Sequence, residues 1–511
     1  MLARALSATP VGVAAHPIEV EVDIARGLPA MSTVGLPDTA VKESRERVRA
    51  AITNSGFPFP DQRITVNLAP ADLRKEGARF DLAVALTLLA AGRSLRGADL
   101  SRWLILGELA LDGRVKGVRG TLSVALWLRH HGHGRRLLVP RANAVEAAVV
   151  EGIEVIGVDS LAQAAAILCG EREAEPTVVD PRTLFAARDR DSGIDLAEVA
   201  GQERAKRALE IAAAGFHNLL MVGPPGSGKT MLAERLPTLL PPMTLDEALE
   251  TTRIYSVHGS LPPGEGLITR RPFRSPHHSI SDAGLVGGGT LPRPGEVSLA
   301  HHGVLFLDEL PEFCRSVLEV LRQPLEAGVI TIARASGALA FPADCMLVAA
   351  MNPCPCGFRG DPVRECLCTP VQVRKYRARL SGPLLDRIDL HVAVPAPSYG
   401  ELRGGPAAET SAWVRARVVR ARAAQTARRG ATGVHCNARL APAALRRVCP
   451  LPREADDLLA AAVDRLGMSA RSVHRVMKVA RTIADLAGRD AIAVTDVAEA
   501  LHFRSLDRHL A

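Results

Sequence analysis

The chain has 511 residues, 47% of them hydrophobic, with a net charge of +8 and a mean hydropathy of +0.10, enough for about three domains with packed cores. No run of about 18 uninterrupted apolar residues occurs, which argues against a membrane span, and the opening MLARALSATPVGVAAHPIEV runs straight into a strand-like pattern, so it reads as folded protein and not as a signal peptide. The basic charge permits a polyanionic partner such as nucleic acid, the 3% aromatic content argues against base-stacking platforms, and nine cysteines in so long a chain fit a reducing cytoplasm and not a disulfide framework.

Residues 1–168 mix strand-like runs (IEVEVDIA, RITVNLAP, WLILGELAL, RRLLVP, EVIGV) with helical ones (DTAVKESRERVRAAITNSG, FDLAVALTLLAAG), the signature of an α+β or α/β domain. Residues 169–193 are polar and without periodicity, a linker. From 194 to 397 short apolar strands alternate with helices and loops, as in a parallel α/β core. From 398 to 511 helices dominate, and Val476, Ala480, Ile483 and Ala487 draw an apolar stripe along one of them. The fold class expected is multidomain α/β.

Within the third region, NLLMVGPPGSGKTMLAERL places Gly223, Pro224, Pro225, Gly226, Ser227, Gly228, Lys229 and Thr230 between an apolar strand and a helix, the P-loop pattern. Gly226 and Gly228 let backbone N–H groups turn toward phosphate oxygens, and the helix dipole favours the same anion. Lys229 should reach the β/γ-phosphates of ATP, and Thr230 should offer its hydroxyl to magnesium. GVLFLDELPEF then ends an apolar strand on Asp308, a magnesium ligand through water, and Glu309, a base for the attacking water. The strand MLVAAMNPC ends on Asn352, whose amide suits aligning that water, although Asn-Pro is also a common turn.

DLAEVAGQERAKRALEIAAAG (195–215), RRPFRSPHHSISDAGLVGGG (270–289) and PGEVSLAHHGVLFLDELPEF (294–313), with the motifs above, closely resemble the magnesium-chelatase-like AAA+ ATPases of the YifB/ComM type, over nearly the whole chain. The resemblance implies a Lon-protease-like N-terminal α+β domain, a P-loop AAA+ core and a C-terminal helical lid. It also implies a hexameric ring, and, for ComM-like members, a DNA helicase driving branch migration in natural transformation. By the same resemblance Arg387 in LLDR reaches the γ-phosphate held by a neighbouring protomer as an arginine finger, with Asp386 or Asp389 as its partner when nucleotide is absent. The plain alternative is a buried Arg–Asp pair without a catalytic role. GMSARSVHRVMKVART resembles the sensor-2 helix, in which Arg471 matches a γ-phosphate contact; Arg471, Arg475 and Lys478 share one helical face.

The Lon-type peptidase needs a serine nucleophile and a lysine base. The resemblance sets Arg79 at the first position and Leu122 near the second, so no peptidase activity is expected. Arg74, Lys75, Arg79, Arg114, Lys116 and Arg119 form either a basic patch or a solvated face. CPCGFRGDPVRECLC, with Cys354, Cys356, Cys366 and Cys368, is either a zinc site with tight C-x-C spacing or a reduced loop. His277, His278, His301 and His302 make no obvious metal set and read as hydrogen-bonding or loop residues. For DNA, Arg270, Arg271 and Arg274 lie in the insert after the P-loop helix, and VITIARASGALAFPA reads as a hairpin with Arg334 near its tip. The rival to a DNA-remodelling ATPase is an ATP-driven protein remodeller or metal-chelatase-type chaperone.

Overall fold

Alternation in AAHPIEVEVDIA turns Ile18, Val20, Val22 and Ile24 inward and Glu19, Glu21 and Asp23 toward water, the mark of a strand buried on one face. It belongs to the first of two units in a computed structural model of the chain. The structure describes residues 1–511 except 37, 76, 133, 187–192, 290–291, 335–336, 362–363, 404–408 and 505–511, and describes backbone alone at 39, 40, 42, 334, 337, 402 and 466. No helix among the described residues is long and apolar enough to cross a membrane.

The first unit comprises residues 1–188, 245–269 and 335–340. Its sheet is built from β1 (Leu2–Val11), β2 (Ala14–Ala25), β3 (Ala30–Val34), β4 (Arg63–Ala69), β5 (Trp103–Ile105), β6 (Arg136–Pro140) and β7 (Val155–Val158). The order is β3-β4-β2-β1-β5-β6-β7. The β1–β2 and β2–β4 pairs are antiparallel and the others parallel. The helix Thr39–Asn54 starts where Asp38 accepts the Val41 N–H at 2.8 Å. The helix Asp81–Ala91 is apolar all round and accordingly buried along nearly its full length.

The helix Leu245–His258 is part of this unit, although its position in sequence places it within 194–397. The physical reason is a buried polar cluster: Glu146 accepts from the Ser256 hydroxyl, from Leu122 N–H at 3.0 Å and from Asn143 Nδ2 at 3.0 Å. Burial raises the Glu146 carboxyl above its ordinary range against those three hydrogen bonds.

The second unit comprises residues 189–244, 270–334 and 341–511. Five parallel strands, β8 (Leu219–Val222), β9 (Phe273–Arg274), β10 (Val304–Leu307), β11 (Met346–Met351) and β12 (Leu390–Ala393), lie in the order β9-β10-β11-β8-β12. Neighbouring residues on a strand enter opposite cores. Leu219, Met221, Val304, Phe306, Met346 and Val348 pack with Val414, Val418, Val476, Val479 and Ile483 of the later helices. Leu220, Leu305, Leu307, Leu347 and Ala349 pack with Val317, Leu318, Leu325, Leu384 and Ile388. Runs apolar at every position are what a sheet covered on both faces requires, and each such side chain contributes about 1.5–3 kcal/mol. The region 398–511 shares the first of these cores and lies in the same unit as the sheet. Val329–Arg334 and Gly337–Pro342 are both extended strands; residues 335–336 and the Arg334 side chain lie outside what is described.

Candidate active site

β8 ends at Val222 and the helix Lys229–Leu239 begins seven residues later, with Gly226 at φ +76° and Gly228 at φ +87° between them. Side chains rarely adopt that left-handed backbone, so glycine is required at both. Gly223 is held for a different reason: a Cβ there would lie 2.0 Å from the Val394 carbonyl oxygen. Ser227 is buried, and Gln202 braces the loop by donating to Ser227 O at 3.3 Å and to Pro395 O at 2.6 Å. Gln202 was not singled out from sequence; its signal is the stretch AGQERAKRAL just before the strand.

Lys229 is 9% exposed. Its ammonium donates to Gly223 O and Pro224 O, both at 2.8 Å, and to Asn352 Oδ1 at 3.4 Å. Burial lowers its pKa from the ordinary lysine range, against the pull of Asp308 and Glu309. Thr230 Oγ1 donates to Asp308 Oδ2 at 2.8 Å, so hydroxyl and carboxylate stand together at the helix start. Both are hard oxygen donors, the chemistry that fits magnesium. Glu309, two residues past the end of β10, adopts φ +51° and is exposed, and its N–H donates to Asp308 Oδ1 at 2.9 Å. His278 Nδ1 lies 3.6 Å from Glu309 Oε2. That pairing was not read from the sequence, where the histidines were expected to serve in hydrogen bonding or loop contacts. The structure thus pairs Lys229 with Asn352 and its chain neighbour Thr230 with Asp308, with Glu309 adjoining Asp308.

Arg387 stands apart from this group. It is 5% exposed; Nη1 donates to Pro383 O at 2.5 Å and Nη2 lies 2.5 Å from Glu326 Oε1. With Glu326, Glu319, Arg322 and Thr331 it lines a cleft of about 700 Å³ whose lining includes no P-loop residue. The expected partners, Asp386 and Asp389, are not the ones used. Asp389 points the other way, to Arg475 at 2.5 Å, to the Asn218 N–H at 3.1 Å and to His217 Nδ1 at 3.5 Å. Burial opposes the Asp389 charge, but Arg475, His217 and Lys478 outweigh it and hold the carboxyl well below the usual range. Arg471 is exposed in the first turn of the helix Ala470–Leu486, which is capped by Ser469. Its supposed companions face inward instead, Arg475 to Asp389 and Lys478 to Ala438 O at 2.8 Å.

Two of the arginines expected at DNA are committed inside the chain. Arg271 donates to Pro241 O at 2.6 Å and His302 O at 2.7 Å; Arg274 grips Glu296 with two bonds of 2.6 and 2.7 Å. A bidentate pair of this kind fixes β9 and leaves little charge to display. Arg270 is exposed. In the first unit several residues of the supposed basic patch have partners of their own. Lys75 is fully buried and donates to Pro70 O, Arg114 pairs with Asp112 at 2.7 Å, and Arg79 donates to Arg119 O at 3.0 Å. Leu122 is buried in the helix Thr121–His131.

The cysteine loop follows Asn352. Cys354 Sγ lies 3.4 Å from Cys356 Sγ and 3.6 Å from Cys366 Sγ; Cys356 and Cys366 sulfurs are 3.6 Å apart; Cys356 N–H donates to Cys368 Sγ at 3.4 Å. All four are free thiols.

Comparison with known proteins gives consistent matches. The family profile "Magnesium chelatase, subunit ChlI" matches residues 195–402, "Subunit ChlI of Mg-chelatase" matches 20–143, and the corresponding C-terminal profile matches 408–504. The chain is 46% identical over 504 residues to YifB of Escherichia coli (strain K12), covering 98% of this chain and 96% of that one. It is 45% identical over 515 residues to "Competence protein ComM" of Haemophilus influenzae, covering 100% and 98%. A 73-residue stretch, 14% of the chain, is 37% identical to the archaeal Lon protease of Methanothermobacter thermautotrophicus, 11% of that protein.

Proposed function

The chain belongs to the magnesium chelatase subunit ChlI family, within its YifB and ComM type, and we propose that it is a ring-forming ATPase that couples ATP hydrolysis to DNA remodelling. Membership implies ATP and magnesium. The observation that carries the ATPase reading is the 2.8 Å contact of Thr230 with Asp308 beside a Lys229 that also reaches Asn352.

In this reading the backbone N–H groups of 223–230 receive the ATP phosphates. Lys229 exchanges its carbonyl partners Gly223 and Pro224 for a phosphate oxygen. Thr230 and Asp308 would hold magnesium, which when bound neutralises phosphate charge. Glu309 accepts the proton of the attacking water, and Asn352 aligns that water. Arg387 of one protomer and Arg471 stabilise the charge on the transferring phosphoryl group. The pocket is then completed by assembly, as a hexameric ring in the cytoplasm. The N-terminal unit serves as a Lon-protease-like domain without peptidase activity. Support for the absence of peptidase activity comes from Arg79 and Leu122, which the resemblance sets where a serine and a lysine would be needed.

DNA as the partner is supported by the +8 charge and by the relative named as a competence protein. A ComM-like helicase or branch-migration activity in transformation or recombination is the finer form. Arg270 and Arg334 are its candidate contacts. A second reading, an ATP-driven protein remodeller or metal-chelatase-type chaperone, draws on the internal commitment of Arg271 and Arg274. One experiment separates them: ATP turnover measured with and without single-stranded, forked and four-way-junction DNA. Stimulation together with strand unwinding supports the first reading; turnover indifferent to every DNA tested rejects it.

A further inference from the structure

Cys354, Cys356, Cys366 and Cys368 are the four of nine cysteines that converge, and all four sulfurs lie within 4.8 Å of one another. We propose that they hold one zinc ion, and that this ion fixes the loop on which the floor of the nucleotide pocket rests.

The distances select among the chemistries open to four sulfurs. A disulfide needs sulfurs about 2.05 Å apart, and the three sulfur–sulfur distances given are 3.4, 3.6 and 3.6 Å. A tetrahedron with metal–sulfur bonds of about 2.3 Å has edges of about 3.8 Å. The four atoms therefore sit near the corners of a one-ion site. An iron–sulfur cluster divides its four thiolates among two or four irons and so sets some of them farther apart than one ion does. Four thiolates around a small closed centre leave no open coordination position, which makes the ion structural and not catalytic.

Position gives the ion its role. Cys354 follows Asn352 by two residues, at the end of β11. Gly357, at φ +86°, lies so close to the P-loop that a Cβ would be 2.5 Å from Pro225 Cδ and 3.9 Å from Asn352 Cγ. At the other end Cys368 adjoins Thr369, which opens the helix Pro370–Arg377 with a capping box to Gln372. An ion bound by both C-x-C pairs clips the strand end that carries Asn352 to the start of that helix. It thereby holds the turn at Gly357 under Pro225. The four cysteines are positioning residues for Asn352 and the P-loop. No chemistry of ATP passes through them.

The test starts with the unaltered protein. Metal analysis after purification without added metal should return one zinc per chain. Protein stripped by chelator and given cobalt(II) should show the thiolate-to-metal charge-transfer and ligand-field bands of a tetrahedral four-sulfur site. Cys356→Ser and Cys366→Ser should lose zinc, whereas Cys314→Ser, at an exposed cysteine outside the cluster, should keep it. The stripped protein, with its circular dichroism retained, should bind a fluorescent ATP analogue roughly tenfold more weakly and recover on adding zinc, as expected when a supporting segment shifts. Wild-type protein that contains no zinc, takes up none and presents all four thiols to a thiol reagent overturns the metal site. Zinc that is bound, yet can be removed without changing analogue binding, overturns the bracing role. Neither result bears on whether DNA is the partner.

Discussion

The guanidinium of Arg387 lies 2.5 Å from the carboxylate of Glu326, within a single chain. The pair is asymmetric: the arginine side chain is 6% exposed and the glutamate 50%. Removing Glu326 leaves a buried cation whose remaining side-chain partner among the described residues is the Pro383 carbonyl. Glu326→Ala is therefore expected to lose about 1–3 kcal/mol in urea unfolding, less than for a fully buried pair because water screens the glutamate. If Arg387 acts across a subunit boundary, Arg387→Ala should lower turnover by roughly 10³–10⁵ while ATP binding persists. Mixing it with Lys229→Ala protomers should restore part of the activity. Mixed preparations inactive at every ratio would reject action in trans.

The pocket makes a second prediction. Glu309→Gln should keep ATP bound but slow hydrolysis by roughly 10²–10⁴, the usual worth of a general base. Lys229→Ala should abolish binding itself, since the loop loses its one buried ammonium. Equilibrium binding of a labelled nucleotide and single-turnover hydrolysis separate the two effects. Equal loss of binding in both variants would contradict the assigned roles.

Acid should weaken the second unit through the pair at its centre. His217 is buried and its folded pKa is lowered, first by desolvation. Between that value and its unfolded value of about 6.5, the unfolded chain binds a proton that the folded chain refuses, so stability falls as pH drops through this window. Asp389 is depressed as well. Its contribution is present in full above the unfolded value of about 3.9 and is lost only as pH falls from there through the folded value. Unfolding followed from pH 8 to 5 therefore leaves Asp389 out, and comparison with a His217 variant separates the histidine from other groups titrating there, such as Asp81, raised by burial to about 6. His217→Gln should flatten the curve there relative to wild type. Asp389→Asn should cost about 3 kcal/mol at pH 7 by leaving Arg475 without its counter-charge. Parallel curves for wild type and His217→Gln would sink the assignment.

Salt dependence sorts the arginines. If Arg270 and Arg334 touch DNA phosphates, replacing each by alanine should reduce the slope of log affinity against log salt by about 0.7–0.9. Arg274→Ala should instead lower the melting temperature, because it breaks the two-bond grip on Glu296, and should leave the slope unchanged. A slope reduced by Arg274→Ala alone would reverse this division.

What the sequence disclosed follows the distance over which each feature is encoded. Gly223–Thr230, Asp308 and Glu309 are contiguous motifs at strand ends, and their chemistry is local. Buried partnerships are not local: Glu326 precedes Arg387 by 61 positions, and Arg475 follows Asp389 by 86. Arg387 and Asp389 look like natural partners in LLDRID, yet they point to opposite sides of the segment and into different neighbourhoods. Charge misled in the same way. Lys75, Arg271 and Arg274 read as displayed cations, whereas each is consumed by carbonyls or a carboxylate. Helix Leu245–His258 went astray because a buried hydrogen bond from Ser256 to Glu146 has no signature in either segment alone. The C-x-C spacing left the cysteine loop undecided, since convergence depends on a turn at Gly357 that spacing does not encode.

Leu219 and Met221 face one oily layer and Leu220 the other, so a single four-residue strand is gripped from above and below. Whatever tugs on the loop at its end tugs on both layers together. Occupancy of that loop and resistance to heat are thereby two readings of one dial, and a simple melting curve taken with and without nucleotide will register a ligand without any measurement of turnover.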